Sequence, residues 1–136
     1  MDAQSNQDAG FSDAKILIAD DNERNAELLE AFVEGLGCRI LVSRDGPETL
    51  ETIRRERPDV VLLDIMMPRM SGYQVCEAVR KDPDLSATPI IVVTALGAVN
   101  DVERAMDAGA DDFLTKPISR DEVLVRVRSF LSRGRL

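Results

Sequence analysis

Along the chain, short β-branched apolar runs alternate with longer stretches in which apolar residues recur at helical spacing. The runs are Ile16-Leu17-Ile18, Ile40-Leu41-Val42, Val60-Val61-Leu62-Leu63, Ile90-Ile91-Val92-Val93 and Asp112-Phe113-Leu114-Thr115. Continuous apolar runs, unlike alternating ones, predict strands buried on both faces, as in a parallel sheet. Between them, Ala26, Leu29, Phe32, Val33 and Leu36 share one helical face, with Gly35 and Gly37 as stop signals. Leu50 and Ile53 serve a second helix ending before Pro58. Val75, Cys76 and Val79 serve a third, and Val102, Ala105, Met106 and Gly109 a fourth. Val123, Leu124, Val127, Phe130 and Leu131 serve a fifth.

Five strands alternating with five helices predict a doubly wound α/β domain. Right-handed crossovers leave few topologies, and strand order 2-1-3-4-5 is the small-domain solution. Its functional crevice lies at the carboxyl ends of strands 1 and 3. The domain is expected over residues 15–133. Residues 1–14 are polar, with Phe11 their only large apolar residue, and read as a flexible leader. Residues 134–136 read as a C-terminal tail.

The strand ends carry the candidate chemistry. Strand 1 runs into Asp20-Asp21, strand 3 ends in Asp64, strand 4 in Thr94, and strand 5 in Thr115-Lys116-Pro117. Three carboxylates, a hydroxyl and an ammonium are thus expected to converge. Clustered carboxylates cost free energy unless a cation sits among them. Histidine is absent from the chain, so an all-oxygen donor set favours a hard ion, Mg²⁺. A plainer role exists for the first pair, since Asp21 or Asn22 can cap the helix starting at Glu23. Lys116 can hold an anion or pair with Asp64, or simply reach water. Pro117 suits a tight turn, with a cis peptide as one form. Thr94 can donate to an oxyanion or merely end a strand. Phosphoryl transfer to Asp64 fits this inventory.

Composition narrows the field. The 136 residues include 17 basic and 25 acidic side chains, a net charge of −8. Nucleic acid and membrane surfaces are therefore poor partners. The absence of histidine removes Ser-His-Asp catalysis and His-containing zinc sites. Cys38 and Cys76 lie far apart in apolar stretches and are expected to be buried, reduced thiols. No apolar run approaches a membrane span, and no signal peptide is legible, so the expected location is cytoplasmic.

The segments ILIADDN (16–22), VVLLDIMMPRMSG (60–72), IIVVTAL (90–96) and GADDFLTKP (109–117) resemble the receiver domains of two-component response regulators, in order and spacing. The resemblance implies a flavodoxin-like receiver fold. It implies Asp64 as phosphoacceptor, fed by a sensor histidine kinase or histidine phosphotransfer protein. Asp21 would ligate Mg²⁺ directly, Asp20 mainly through water, and Met66 through its backbone carbonyl. Lys116 would bridge to Asp64 and then to the phosphoryl group. Thr94 and Phe113 would act as switch residues, with Pro68 and Gly72 shaping the loop after strand 3. Phe113 stands where the family often has Tyr, so a steric switch is available but not one stabilised by that hydroxyl. The fourth helix, fifth strand and fifth helix would form the surface of change, acting on a downstream effector or a phosphorylation-dependent homodimer.

Met66 and Leu96 are expected to border the phosphoryl group and, being apolar, to prolong its lifetime. The PISRDEVLVRVRSFL stretch and the tail resemble receivers that precede diguanylate cyclase domains, so a piece of a longer regulator is one reading. No cyclase signature is present. A non-phosphorylated interaction module would lack an acid or the lysine, and neither is lost. An aspartyl-phosphate phosphatase of the haloacid dehalogenase type would carry a second Asp where Met66 stands.

Overall fold

A computed structural model describes residues 11–95 and 99–133. In chain order the elements are β1 (Lys15–Ala19), α1 (Glu23–Val33), a 3₁₀ turn (Glu34–Leu36), β2 (Arg39–Ser43), α2 (Gly46–Glu56), β3 (Val60–Asp64), α3 (Gly72–Lys81), β4 (Ile90–Thr94), α4 (Val99–Ala108), β5 (Asp112–Thr115) and α5 (Arg120–Arg133). The five strands form one parallel sheet in the order β2-β1-β3-β4-β5. The doubly wound α/β fold and its predicted strand order are therefore present.

Strand alternation builds two cores. Leu17, Ala19, Val61, Leu63, Ile90 and Val92 face Leu50, Ile53, Val75, Cys76, Val79 and Ala105 from α2, α3 and α4. The intervening Ile16, Ile18, Val60, Leu62, Ile91 and Val93 face Ala26, Leu29, Val33, Val123, Val127 and Phe130 from α1 and α5. Every residue of β3 and β4 is buried, whereas β2, at the sheet edge, is only half covered. Full burial on both faces is what made the central runs continuously apolar.

Three details depart from expectation. Ala14, assigned to the leader, is buried against the α1–α5 core, and Phe11 packs beside it. The Ala14 carbonyl accepts the Arg39 N–H at 2.9 Å. The packed chain therefore begins before Lys15. Met106, assigned to the inner face of α4, is exposed. Ala105 takes the buried position, and its neighbour lies about 100° further round the helix. Cys38 is only half-buried; Cys76 is fully buried, and both are free thiols. The expected tail, 134–136, lies outside the described residues. No described helix is long and apolar enough to cross a membrane.

Candidate functional site

The apolar run of β1 ends at Ala19, and the chain must turn to start α1. Asp20 makes that turn. Its N–H donates to the Ser43 carbonyl at 3.1 Å, and its Oδ1 accepts the Asn22 N–H at 2.9 Å. Asn22 caps α1, its side chain accepting the Asn25 N–H at 3.0 Å. The capping role is thus filled by Asn22, and Asp21 stands exposed at the sheet end.

Asp64 closes β3. Its Oδ1 accepts the Met66 N–H at 3.3 Å. The Ile65 carbonyl then accepts N–H groups from Met67 at 3.2 Å and Gly72 at 2.8 Å, which folds the β3–α3 loop back on itself. Arg69 sits in this loop with φ 70°, a left-handed conformation. The loop leaves Met66 68% exposed beside Asp64, while Met67 is buried. Ser71 and Gln74 then form a reciprocal capping box at the start of α3.

Lys116 follows β5 and is joined to Pro117 by a cis peptide bond. Its N–H donates to the Thr94 carbonyl at 2.8 Å, which ties the ends of β4 and β5 together. Its Nζ lies 3.8 Å from Asp64 Oδ2 and 3.9 Å from Asp20 Oδ2. Thr94 is buried at the last position of β4. Phe113 is paired in register with Val92 and packs half-buried against the α2–α3–α4 core. Leu96 lies outside the described residues.

Carboxylate oxygens of Asp20, Asp21 and Asp64 all lie within 4.8 Å of one another. Asp20 is 1% exposed, and its Oδ2 has no hydrogen-bond partner. Burial, then the negative charge of Asp20, pushes the Asp64 carboxyl up to about 6; Lys116 and the Met66 N–H pull the other way. One ammonium against the buried Asp20 and Asp64 carboxylates, with exposed Asp21 beside them, leaves excess negative charge in the cluster. A small divalent cation fits this deficit. The donors are all oxygen, they are close enough to share one ion, and the buried Asp20 Oδ2 has no hydrogen bond. Asp20, Asp21 and Asp64 are the side chains that could hold it.

The residues predicted from the strand ends are thus brought together. Sequence reasoning missed the role of the β2–α2 corner, whose Ser43 carbonyl takes the Asp20 N–H. Its only legible signal was the Ser-Arg-Asp-Gly turn before α2.

The chain matches the response regulator receiver domain family over residues 16–128, and it belongs to that family. It is 44% identical over 119 residues to "Probable transcriptional regulator ycf27" of Guillardia theta, covering 88% of this chain and 46% of the relative. It is 42% identical over 123 residues to "Response regulator PleD" of Caulobacter vibrioides, covering 90% of this chain and 27% of that one. The chain therefore spans half or less of the length of these curated relatives. Among solved structures, a Francisella response regulator receiver domain is 34% identical with a TM-score of 0.83, covering 90% of this chain and 99% of that one. The receiver domain of a sensor histidine kinase of Pseudomonas aeruginosa is 30% identical with a TM-score of 0.81, covering 88% and 98%. It has a magnesium ion coordinated in its active-site cleft. This chain is thus a receiver domain of the two-component signalling class.

Proposed function

We propose that Asp64 accepts a phosphoryl group from a sensor histidine kinase or a histidine phosphotransfer protein in a Mg²⁺-dependent reaction. The observation that carries this reading is the placement of a buried Asp64 carboxylate 3.8 Å from Lys116 Nζ within the acidic cluster. In the reaction, an Asp64 oxygen attacks phosphorus in line. The phosphorus–nitrogen bond of the donor phosphohistidine breaks, and its electron pair returns to the imidazole, which takes up a proton. The product is an acyl phosphate. Asp64 must be ionised to attack, and Lys116 favours that form. Asp20, Asp21, Asp64 and the Met66 carbonyl would hold Mg²⁺, which when bound neutralises charge spread over the phosphoryl oxygens.

Thr94 and Lys116 flank the position the phosphoryl group would take, and both are joined through the Thr94 carbonyl. A new dianionic group there offers each an acceptor. Movement of Thr94 would free space for Phe113, which lies half-buried one strand away. The signal would leave through α4, β5 and α5, where Met106 and Val125 are exposed. The output would be a protein effector or a phosphorylation-dependent homodimer, since the −8 net charge disfavours direct contact with nucleic acid. The greater length of the relatives supports the reading that such a receiver gates a further output domain. Cytoplasmic placement follows from a kinase partner of this kind.

The test is to treat the protein with acetyl phosphate and Mg²⁺, reduce the product with borohydride, and map peptides. Reduction of an aspartyl phosphate leaves homoserine, expected at position 64. Homoserine elsewhere, or none, would reject the assignment.

A further inference from the structure

Two glycines bracket the loop that leaves Asp64. At Gly72, the start of α3, a β-carbon would stand 2.6 Å from the Asp64 carbonyl oxygen and 2.8 Å from Ile65 Cα. At Gly46, the start of α2, a β-carbon would overlap Met70 Cβ and stand 2.6 Å from the Met70 carbonyl oxygen. The Gly46 N–H points to the Pro68 carbonyl at 3.4 Å, and that oxygen also accepts the Met70 N–H at 2.7 Å. The first turn of α2 is therefore seated on the outer shoulder of the β3–α3 loop.

The same corner touches the other half of the site. The Ser43 carbonyl accepts the Asp20 N–H. Ser43 is fully buried, and its Oγ lies 2.7 Å from Thr49 Oγ1 in α2; Thr49 Oγ1 in turn donates to the Asp45 carbonyl at 2.7 Å. Asp45 caps α2 by accepting the Glu48 N–H at 2.8 Å. The corner supplies no carboxylate to the acidic cluster, yet it abuts Asp20 through Ser43 and the Asp64 loop through Gly46.

We propose that Gly46 is a positioning residue for the reaction at Asp64: the β2–α2 corner is a spacer between Asp20 and the Asp64–Met66 segment, and Gly46 is where its thickness is set. The inference rests on the reading of Asp64 as phosphoacceptor with Mg²⁺ held by the clustered acids. An alanine within a helix is ordinarily more stable than a glycine. At position 46 its methyl group must instead drive Met70 and Pro68 outward, or draw α2 off Ser43. Either movement widens the carboxylate cluster. Mg²⁺ demands short, near-octahedral coordination, whereas Ca²⁺ accepts longer and more flexible arrangements. A wider site loses Mg²⁺ first.

The test is calorimetric titration of Mg²⁺ and, separately, Ca²⁺ into wild type, G46A and V127A. Val127 lies in the opposite core, so V127A reports the effect of general destabilisation. G46A is expected to weaken Mg²⁺ about tenfold or more, the range for residues that orient ligands, and Ca²⁺ distinctly less. V127A should leave both affinities and their ratio unchanged. The double variant G46A/M70G removes the overlapping β-carbon and should recover part of what G46A loses, in folding or in Mg²⁺ affinity. Wild-type Mg²⁺ affinity in G46A, an unchanged Mg²⁺ to Ca²⁺ ratio, or no recovery in the double variant would overturn the proposal alone. A wild type that takes up no Mg²⁺ would overturn the underlying reading of the site, and the proposal with it.

Discussion

Lys116 Nζ stands 3.8 Å from Asp64 Oδ2, and almost the same distance, 3.9 Å, from Asp20 Oδ2. The lysine is shared between the proposed phosphoacceptor and a proposed metal-site acid. Replacing it with methionine keeps the apolar stem and removes the charge. K116M is expected to raise the Asp64 carboxyl beyond about 6, which carboxyl NMR would follow. It should also slow phosphorylation by acetyl phosphate by about tenfold or more, as loss of a charge-stabilising group does. Unchanged titration and rate would show that the ammonium is not coupled to Asp64.

The raised Asp64 titration sets a pH dependence in Mg²⁺-free buffer. The carboxyl moves from 3.8 to about 6 on folding, so between those values the native state binds more protons than the unfolded chain. Asp64 therefore contributes its stability below the lower value, and loses it as pH rises through the upper one. D64N removes this dependence. It is expected to be more stable than wild type by on the order of 2 kcal/mol at about pH 7.5, the gap closing toward about pH 4. Urea melts of both proteins across this range check it. A gap that grows on acidification would contradict the sign.

Mg²⁺ should act in the opposite sense to the carboxylate repulsion. Binding only the native state at a hundredfold excess over its Kd stabilises by about 2.7 kcal/mol, a rise of several degrees in Tm. D21A should abolish that rise while leaving the apo protein as stable as wild type or more so, because Asp21 is exposed and does not cap α1. A rise that persists in D21A would remove Asp21 from the metal site.

Far from this site, Arg80 joins three segments. Its Nε donates to the Gly109 carbonyl at 2.7 Å, and its NH1 to the Thr88 and Ser86 carbonyls at 2.7 and 3.0 Å. Its NH2 donates to Asp111 Oδ2 at 2.8 Å. Asp111 Oδ2 also accepts the Ile90 N–H at 2.8 Å. R80M takes this donor from the Gly109, Thr88 and Ser86 carbonyls and leaves Asp111 Oδ2 with the Ile90 N–H alone. It is expected to cost roughly 2–4 kcal/mol in unfolding free energy. Phosphorylation of Asp64 should be unaffected in the folded fraction. A loss below about 1 kcal/mol would make Arg80 an ordinary surface cation.

Much of this architecture was legible in the sequence because β3 and β4 are buried on both faces, which forces unbroken apolar runs. The site was legible because a parallel sheet gathers strand ends, so Asp20, Asp64, Thr94 and Lys116 could be placed together without knowing any distance. Composition does not say that Asp20 is buried and Asp21 exposed; Asp20 is held at the sheet end by its hydrogen bonds to the Ser43 carbonyl and the Asn22 N–H. The even sharing of Lys116 between two acids depends on the side chain's path across the sheet end. Ala14 is not legible as a packed residue because a small residue in a polar segment gives no periodic signal, although it is buried in the α1–α5 core and its carbonyl takes the Arg39 N–H. Nothing local in the chain marks Gly46, and only the approach of Met70 from a distant part of the chain shows why glycine stands there.

The proposed lifetime tuning by Met66 and Leu96 is open to a kinetic test. Met66 is largely exposed beside Asp64, and it offers attacking water no side-chain hydrogen bond. M66N combined with L96E should speed dephosphorylation by about tenfold or more, the scale of a positioned general base or water-orienting group. Decay of the phosphorylated mass after removal of the donor measures it. An unchanged decay rate would assign the lifetime elsewhere.

The most direct measurement is the intact mass after incubation with acetyl phosphate, with and without Mg²⁺, for wild type and D64A. The account predicts one adduct of about 80 Da, the mass of a phosphoryl group. It should require Mg²⁺ and be absent from D64A. An adduct that survives in D64A, or forms equally without Mg²⁺, would contradict it.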